Sequence, residues 1–569
     1  MQRNGFKRLF EVIRLATLLL VAVIELGLAG PGAAQQQPGA PPSIISPARL
    51  RQDLFRLADD SMMGREPGGA GNFKTAAYVA EQFRKLGLRP AGDSGTWFQY
   101  VPLATARLSD RATLDIEGTR LKPLADFLPG IWLTTRPLRL NEVEAIYGGD
   151  ARDSTHWISA RRAQGKVVVL DVRSDAKGKR TYQRTGAISS NPRWERAAAL
   201  FILERDLLDT VVVRLVREGT ISPPRTVETG RVPPLALLTP EAGAALFASP
   251  VSGLKPGAPG RSVNADWVVT FTPLPYPARN VVAILPGRDA RLRGEYISLS
   301  AHNDHVGFNH SPVEHDSIRT YNHVIRPMGA DSPDRAPTKD EWERIDAELR
   351  ALRAHDRPRP DSIYNGADDD GSGTVALLEL ARAFSGMKER PRRSILFISH
   401  TAEEYGLVGS AWFTDHPTVP LDSIIAEIDQ DMVGRGDAGD LPGGGPGYLE
   451  VIGAWRLSRR LGDLLTDVNR SLGEPMKFNT AYDAPGHPLQ YYCRADHVSY
   501  ARYGIPSVSL SRGEHLDYHQ VTDEPQYIDY EALARVARFV YAVTLRLANA
   551  DDRPSLDVPK PDPHAPCRQ

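Results

Sequence analysis

The sequence predicts an α/β protein: a mostly parallel mixed sheet flanked by helices, with a smaller α/β domain inserted into it. Three observations carry that expectation. From Asn280 the order strand, loop, helix repeats, with strands at NVVAILPG, EYISLSAH, RSILFISH, SIIAEID and IPSVSLS. Such near-continuous apolar runs belong to strands buried on both faces, as in a parallel sheet between helices. Between about 125 and 275 the texture changes to short β-like runs, GKVVVLDV and PPLALL, around a helical stretch at WERAAALFIL. Finally, 569 residues that are 41% hydrophobic and 24% charged are ordinary globular material. They leave room for roughly two to four domains.

Taken in order, residues 1–34 read as an export signal. Arg3, Lys7, Arg8 and Arg14 make a basic start, Leu15 to Gly30 is mostly apolar, and Gly32-Ala33-Ala34 offers small residues for cleavage. The apolar run carries Glu25 and is shorter than the about 20 residues of a bilayer span. The mature chain is therefore expected to begin near Gln35, secreted or periplasmic, with no stable membrane span left, an uncleaved membrane anchor being the alternative. After a Gln/Pro-rich linker, Ser46-Pro47 opens a helix with Leu50, Leu54 and Leu57 on one face. The turn GREPGGAGN leads to a second helix, where Ala76, Val79, Ala80 and Phe83 keep helical spacing and Gly87 is the stop. Residues 35–124 thus form the first part of the main domain, 125–275 the inserted domain and 276–550 the remainder, with 551–569 a flexible tail. Lys+Arg at 69 against Asp+Glu at 70 provides no surplus of positive charge for nucleic acid. Two cysteines, Cys493 and Cys567, exclude a zinc ribbon and a disulfide-dense scaffold, while a bridge between them stays open.

In an open α/β sheet, ligands bind beyond the carboxyl ends of the strands. Here EYISLSAH ends in His302, with Asp304 just after it. RSILFISH is followed by Glu403-Glu404, SIIAEID by Asp431, and IPSVSLS at greater distance by His519. A further cluster, Asp368-Asp369-Asp370, precedes the helix GTVALLELARAF, whose Leu377, Leu380, Ala381 and Phe384 share a face. Each residue alone is an ordinary loop residue. Together at one rim, so many carboxylates would repel unless cations neutralise them. Imidazole with carboxylate suits Zn²⁺, and two metals in one site need a carboxylate that bridges them. No GxSxG or HExxH occurs, which removes the serine-hydrolase elbow and the zincins.

The runs SAHNDH, NGADDDGSGTVALLELARAF, HTAEEYGLVGS, IDQDMVGR, ADHVSYARYGIPS and YHQVTDE resemble peptidase family M28, zinc aminopeptidases with two co-catalytic metals. SMMGREPGGAGN through LGLRPAGD resembles the family's N-terminal part. The inserted segment is similar to a protease-associated domain, through GKVVVLD, AAALFIL and PPLALLTPEAG. The resemblance implies an exported exopeptidase with a peptide substrate and two zinc ions per chain. Specifically, it implies that His302 and Asp431 hold one zinc, that Glu404 and His519 hold the other, and that Asp368 bridges. Glu403 falls on the general base and Asp304 on the acid that orients His302. Tyr492 falls on a tyrosine that meets the oxyanion, although adjacent Tyr491 competes for that place. A carboxypeptidase, dipeptidase or glutaminyl cyclase on the same scaffold is the alternative, and the oligomeric state is left open.

Three departures stand out. Residues 303–367 are far longer than an ordinary connection. Within them, Thr338 to Glu341 is a capping box that starts a helix with Trp342, Ile345, Leu349 and Leu352 in a stripe. Residues 309–362 are accordingly expected to form a lid-like insertion. The other two departures are Asp429, where asparagine is commoner, and Glu524, where threonine is commoner.

Overall fold

A computed structural model describes residues 44–569 apart from 132, 175–179, 181–184, 190, 209, 225–231, 334, 356, 436–444, 446 and 566. The expected export signal and the Gln/Pro-rich linker lie outside the described residues. Among the described residues no helix is long and apolar enough to cross a membrane.

Nine strands form the main sheet: β1 (Arg89–Pro90), β2 (Phe98–Tyr100), β3 (Arg279–Leu285), β4 (Tyr296–His302), β5 (Ser394–His400), β6 (Ile424–Gln430), β7 (Tyr448–Ile452), β8 (Lys477–Asn479) and β9 (Ser507–Ser511). Their order is β1-β3-β5-β4-β6-β9-β7-β8, with β2 also on β3. The four central strands β5, β4, β6 and β9 run parallel, and antiparallel β3 and β7 flank them. Every residue of β5 and β6 is buried, as continuous apolar runs between two helical layers require. Because the four are parallel and in register (His302 beside His400, Gln430 beside Leu510), their carboxyl ends open on one edge.

Both N-terminal helices form where the sequence places them. Pro47–Leu57 is capped by the Ser46 hydroxyl, which accepts from the Arg49 amide, and it buries Leu50, Leu54 and Leu57. Ala70–Lys85 buries Ala76, Val79, Ala80 and Phe83. With Gly373–Ser385 and Tyr530–Asn549 they cover one face of the sheet in a single core.

A second module has its own mixed eight-stranded sheet and a three-stranded one. It starts before residue 125. Ala104–Leu108 pairs with Val269–Pro273, and Thr113–Ile116 with Pro259–Trp267. WERAAALFIL also departs from expectation. Ala199–Leu203 is a fully buried strand lying parallel to Val167–Asp171 and Leu235–Leu238. A short all-apolar run suits a buried strand as well as a buried helix, and here the neighbouring strands decide.

The insertion is stapled at its base by Phe308–Glu314 pairing with Pro360–Ile363. Its helix Lys339–Arg353 carries the expected capping box, yet Ile345 alone is buried, while Trp342 is 49% and Leu352 41% exposed. That helix lies against its neighbour in the insertion, His315–Ile325, where Tyr321 meets Trp342.

The C-terminal segment is tied down rather than flexible. Cys493 and Cys567 form a disulfide. The Gln569 side chain accepts from the Tyr492 amide and donates to the carbonyls of Tyr482 and Ala484. The bridge spans 74 residues, and a cross-link of that reach stabilises by about 2–4 kcal/mol. Cys567→Ser should therefore lower the melting temperature by several degrees. Adding reductant should do the same to the parent chain and leave the variant unmoved. A parent melt insensitive to reductant would show that the tail contributes nothing.

Candidate metal centre

The open edge of the sheet collects the predicted side chains. His302 ends β4, and its carbonyl accepts from the Thr374 hydroxyl at 2.6 Å. Glu403 and Glu404 follow β5 in a turn held by Asp304, whose two carboxylate oxygens accept from their amides at 3.2 and 3.4 Å. Asp304 Oδ1 also stands 3.5 Å from His302 Nδ1. Asp431 follows β6, and His519 arrives on the loop after β9. Ala402, Met432 and His519 all have positive φ, and each such non-glycine residue stores about 1–3 kcal/mol of strain. The sharp turns re-aim Glu403, Asp431 and His519 toward one point.

The bridge between the two histidines is Asp369, not Asp368. Asp369 Oδ1 is 3.1 Å from His302 Nε2, and its Oδ2 is 2.9 Å from His519 Nε2. The reason is how the three-acid run is held. The Asp369 and Asp370 backbones are non-helical, with φ,ψ of −99°,103° and −113°,50°, so successive side chains point to different sides. The Asp368 carboxylate turns away, accepting from the Gly434 amide at 2.6 Å and lying 3.2 Å from His515 Nε2. A side chain at Gly434 would meet it, since a Cβ there would lie 2.7 Å from Asp368 Oδ1. Asp370 is occupied as well, accepting from the amides of His302, Gly373 and Met432. Asp369 alone faces both histidines.

Around this bridge stand two donor sets. One joins His302 to Asp431, with Nε2 3.7 Å from Asp431 Oδ1. The other joins His519 to Glu404 at 2.9 Å, with His305 Nδ1 2.6 Å from the far oxygen of Glu404. His305 is a partner that the sequence reading passed over. Its signal was the second histidine of SAHNDH, three residues after the first.

The adjacent glutamates differ. Glu404 is engaged by both histidines, which draw it down to about 2 against burial and the nearby Asp369. Glu403 has a looser one, its Oε2 lying 3.9 Å from His302 Nε2. Burial first, then Asp431 and Glu404, hold it well above the ordinary glutamate range against the pull of His302.

The donor set fits a metal. His302 Nε2 and Asp431 Oδ1 are buried with no hydrogen-bond partner, an expensive state unless a cation stands between them. Donor atoms of His305, Asp369, Glu404 and His519 lie within 4.8 Å of one another, as do those of His302, Asp370 and Asp431, and imidazole with carboxylate oxygen suits zinc.

Tyr492 is turned away from the centre. Its ring lies under the Arg456 guanidinium at 3.9 Å and edge-on to His497. Tyr491 instead lines the cavity of about 310 Å³ that contains Asp369, Glu403, Glu404, Asp431 and His519. Its hydroxyl is buried without a partner. Among the described residues, none of the insertion 309–362 lines this cavity. The insertion reaches the rim through Gly329–Asp331, where the Ala330 amide donates to the Tyr518 carbonyl and Asp331 pairs with Arg494.

The sequence profile of peptidase family M28 matches residues 280–544. Leucine aminopeptidase 1 of Paracoccidioides brasiliensis (strain Pb03) is 33% identical over 199 residues, covering 33% of this chain and 47% of that one. A probable zinc metalloprotease of Pyricularia oryzae is 27% identical over 216 residues, covering 32% and 42%. The chain thus spans about half the length, or somewhat less, of the curated relatives it matches. The solved aminopeptidase from Aneurinibacillus sp. strain AM-1 aligns at a TM-score of 0.48 and 17% identity, over 91% of this chain and 97% of that one.

A centre that needs cations should be visible in stability. A ligand present at 100 times its dissociation constant adds about 2.7 kcal/mol. Chelator should therefore lower the melting temperature by several degrees, and zinc should restore it. An identical melt with and without chelator would show that no ion is held.

Proposed function

The chain belongs, through residues 280–544, to peptidase family M28, and from that premise we propose that it is a zinc-dependent aminopeptidase acting on peptides. The observation that carries this reading is Asp369 set between His302 and His519, with Glu403 beside it, its Oε2 3.9 Å from His302 Nε2. His302, Asp431 and Asp369 would hold one zinc. His519, Glu404 and Asp369 would hold a second. When bound, the ions supply Lewis acidity that polarises the scissile carbonyl.

The chain's own residues do the rest. Asp304 positions His302 and, through their amides, the two glutamates. Glu403, with its raised proton affinity, takes a proton from the attacking water and delivers it to the leaving amine. Tyr491, which lines this cavity where Tyr492 does not, would supply the hydroxyl donor for charge developing on the carbonyl oxygen. The disulfide Cys493–Cys567 and the export signal read at 1–34 together support work outside the cytoplasm, where disulfides persist.

Two experiments test the reading. An aminopeptidase needs a free α-amine, so N-acetylated peptides should resist cleavage while their free counterparts are cut. Equal turnover of both would move the assignment to a carboxypeptidase or endopeptidase. Glu403→Gln should lower kcat by about 10²–10⁴ with zinc content unchanged, whereas Glu404→Gln should lose zinc and Asp369→Ala most of it. Metal loss in Glu403→Gln with full retention in Glu404→Gln would reverse the two roles. One zinc per parent chain would favour a cyclase.

A further inference from the structure

The cavity beside the metal centre has apolar sides and a charged end. Met432, Ile452 and Ala495 line it, and so do Gly513 and Glu514. Glu514 is only 6% exposed. Behind Gly513, which has φ +88°, lies Glu450, whose Oε1 is 2.7 Å from where a Cβ at 513 would sit. Only a glycine lets that carboxyl approach the cavity floor so closely. Glu450 Oε1 accepts from the Tyr448 hydroxyl at 2.7 Å, while its Oε2 is buried with no hydrogen-bond partner. On the rim stands Asp331.

Charge at this end does not balance. Among the described residues, the ion pairs to Asp331 and Glu514 both come from Arg494. Arg494 is committed elsewhere: its Nη1 is 2.5 Å from Asp331, and its Nη2 donates to the Tyr518 hydroxyl at 3.1 Å. Glu514 is left at 3.7 Å, beyond hydrogen-bond distance. Asp331 and Glu514 therefore share one guanidinium, no ion pair to Glu450 is found among the described residues, and buried carboxylates without a counter-ion are costly.

Resting on the aminopeptidase reading, we propose that this cavity receives a basic N-terminal side chain, lysine or arginine, whose cation is taken by Glu514. The methylenes of such a side chain would lie along Met432 and Ile452, with the charge at the far end. An acidic side chain is disfavoured, because Arg494 is already paired and Glu514, Glu450 and Asp331 are all acids.

The test uses the full zinc-loaded chain with p-nitroanilides of lysine, arginine, norleucine and glutamate. Norleucine has the lysine stem without the charge. The value of kcat/KM should favour lysine and arginine over norleucine by about tenfold or more, as one charged hydrogen bond does, with glutamate the poorest. Glu514→Gln should lower the lysine-to-norleucine ratio by about the same factor. A parent enzyme that prefers norleucine overturns the proposal. So does a folded Glu514→Gln variant in which all four rates fall together, for Glu514 would then serve the α-amine or the fold. Calorimetric binding of L-lysinamide and L-norleucinamide to the parent chain provides a readout that needs no turnover. If no anilide is cut, the aminopeptidase reading fails, and the charge preference is decided by binding: tighter lysinamide upholds it and equal affinities overturn it. The parent comparisons decide equally if the variant does not fold.

Discussion

Negative charge concentrated at one edge of the sheet is the constraint to which the rest of this structure answers. Asp369, Glu403, Glu404 and Asp431 converge there, and Asp304, Asp370 and Asp523 lie directly behind them, fully buried or nearly so. Backbone amides absorb the second group. Asp370 accepts from three amides and Asp304 from two, and Asp523 accepts from those of Asp368 and Asp369. Each such bond also fixes the loop that presents a converging side chain. The acids that cannot act as ligands thus become the framework for those that can. What remains at the front is a set of carboxylates facing His302, His305 and His519, and imidazoles alone do not satisfy it.

The sheet explains why these groups meet. Four parallel neighbours end together, so residues far apart in sequence are delivered to one rim. That much was legible from the chain. Continuous apolar runs ending in His302, before Glu403-Glu404 and before Asp431 announced both the strands and the chemistry. The helix after the three-acid run was equally plain from Leu377, Leu380, Ala381 and Phe384. What the pattern could not resolve was direction within a run of equal residues. Whether Asp368 or Asp369 points forward depends on two non-helical backbone conformations and on amides at Gly434 and Met432 that pattern does not encode. The same holds for Tyr491 and Tyr492, whose choice is made at Tyr492, where Arg456 stacks on the ring and the Gln569 side chain accepts from the amide. At Ala199–Leu203 local sequence was silent between helix and strand, and two flanking strands settled it.

The insertion shows a different limit. Its helix at Lys339–Arg353 was readable from its capping box, and its position was not. Salt links such as Arg353 with Glu314 and Asp316 tie it to the base of the insertion rather than to the cleft. The part that touches the rim is the short turn Gly329–Asp331, which has no periodicity to announce it. Gly329 has φ +52°, and a Cβ there would lie 2.4 Å from the Tyr518 carbonyl oxygen, so the turn packs directly on the backbone beside His519.

A second contact of this turn links the insertion to the cavity wall. Asp331 holds Arg494, and Arg494 holds Tyr518, whose ring stacks on His519 at 4.2 Å. Arg494 also follows Cys493, so the disulfide to Cys567 anchors the same wall from the other side. Two segments remote in sequence, the insertion and the C-terminal tail, therefore converge on the stretch 491–494, which bears the Tyr491 hydroxyl and the guanidinium nearest Glu514. Among the described residues, neither segment lines the cavity that holds Asp369 and Glu403. Both act by fixing one of the walls that face it, so part of the shape of the pocket rests on contacts outside the family motifs.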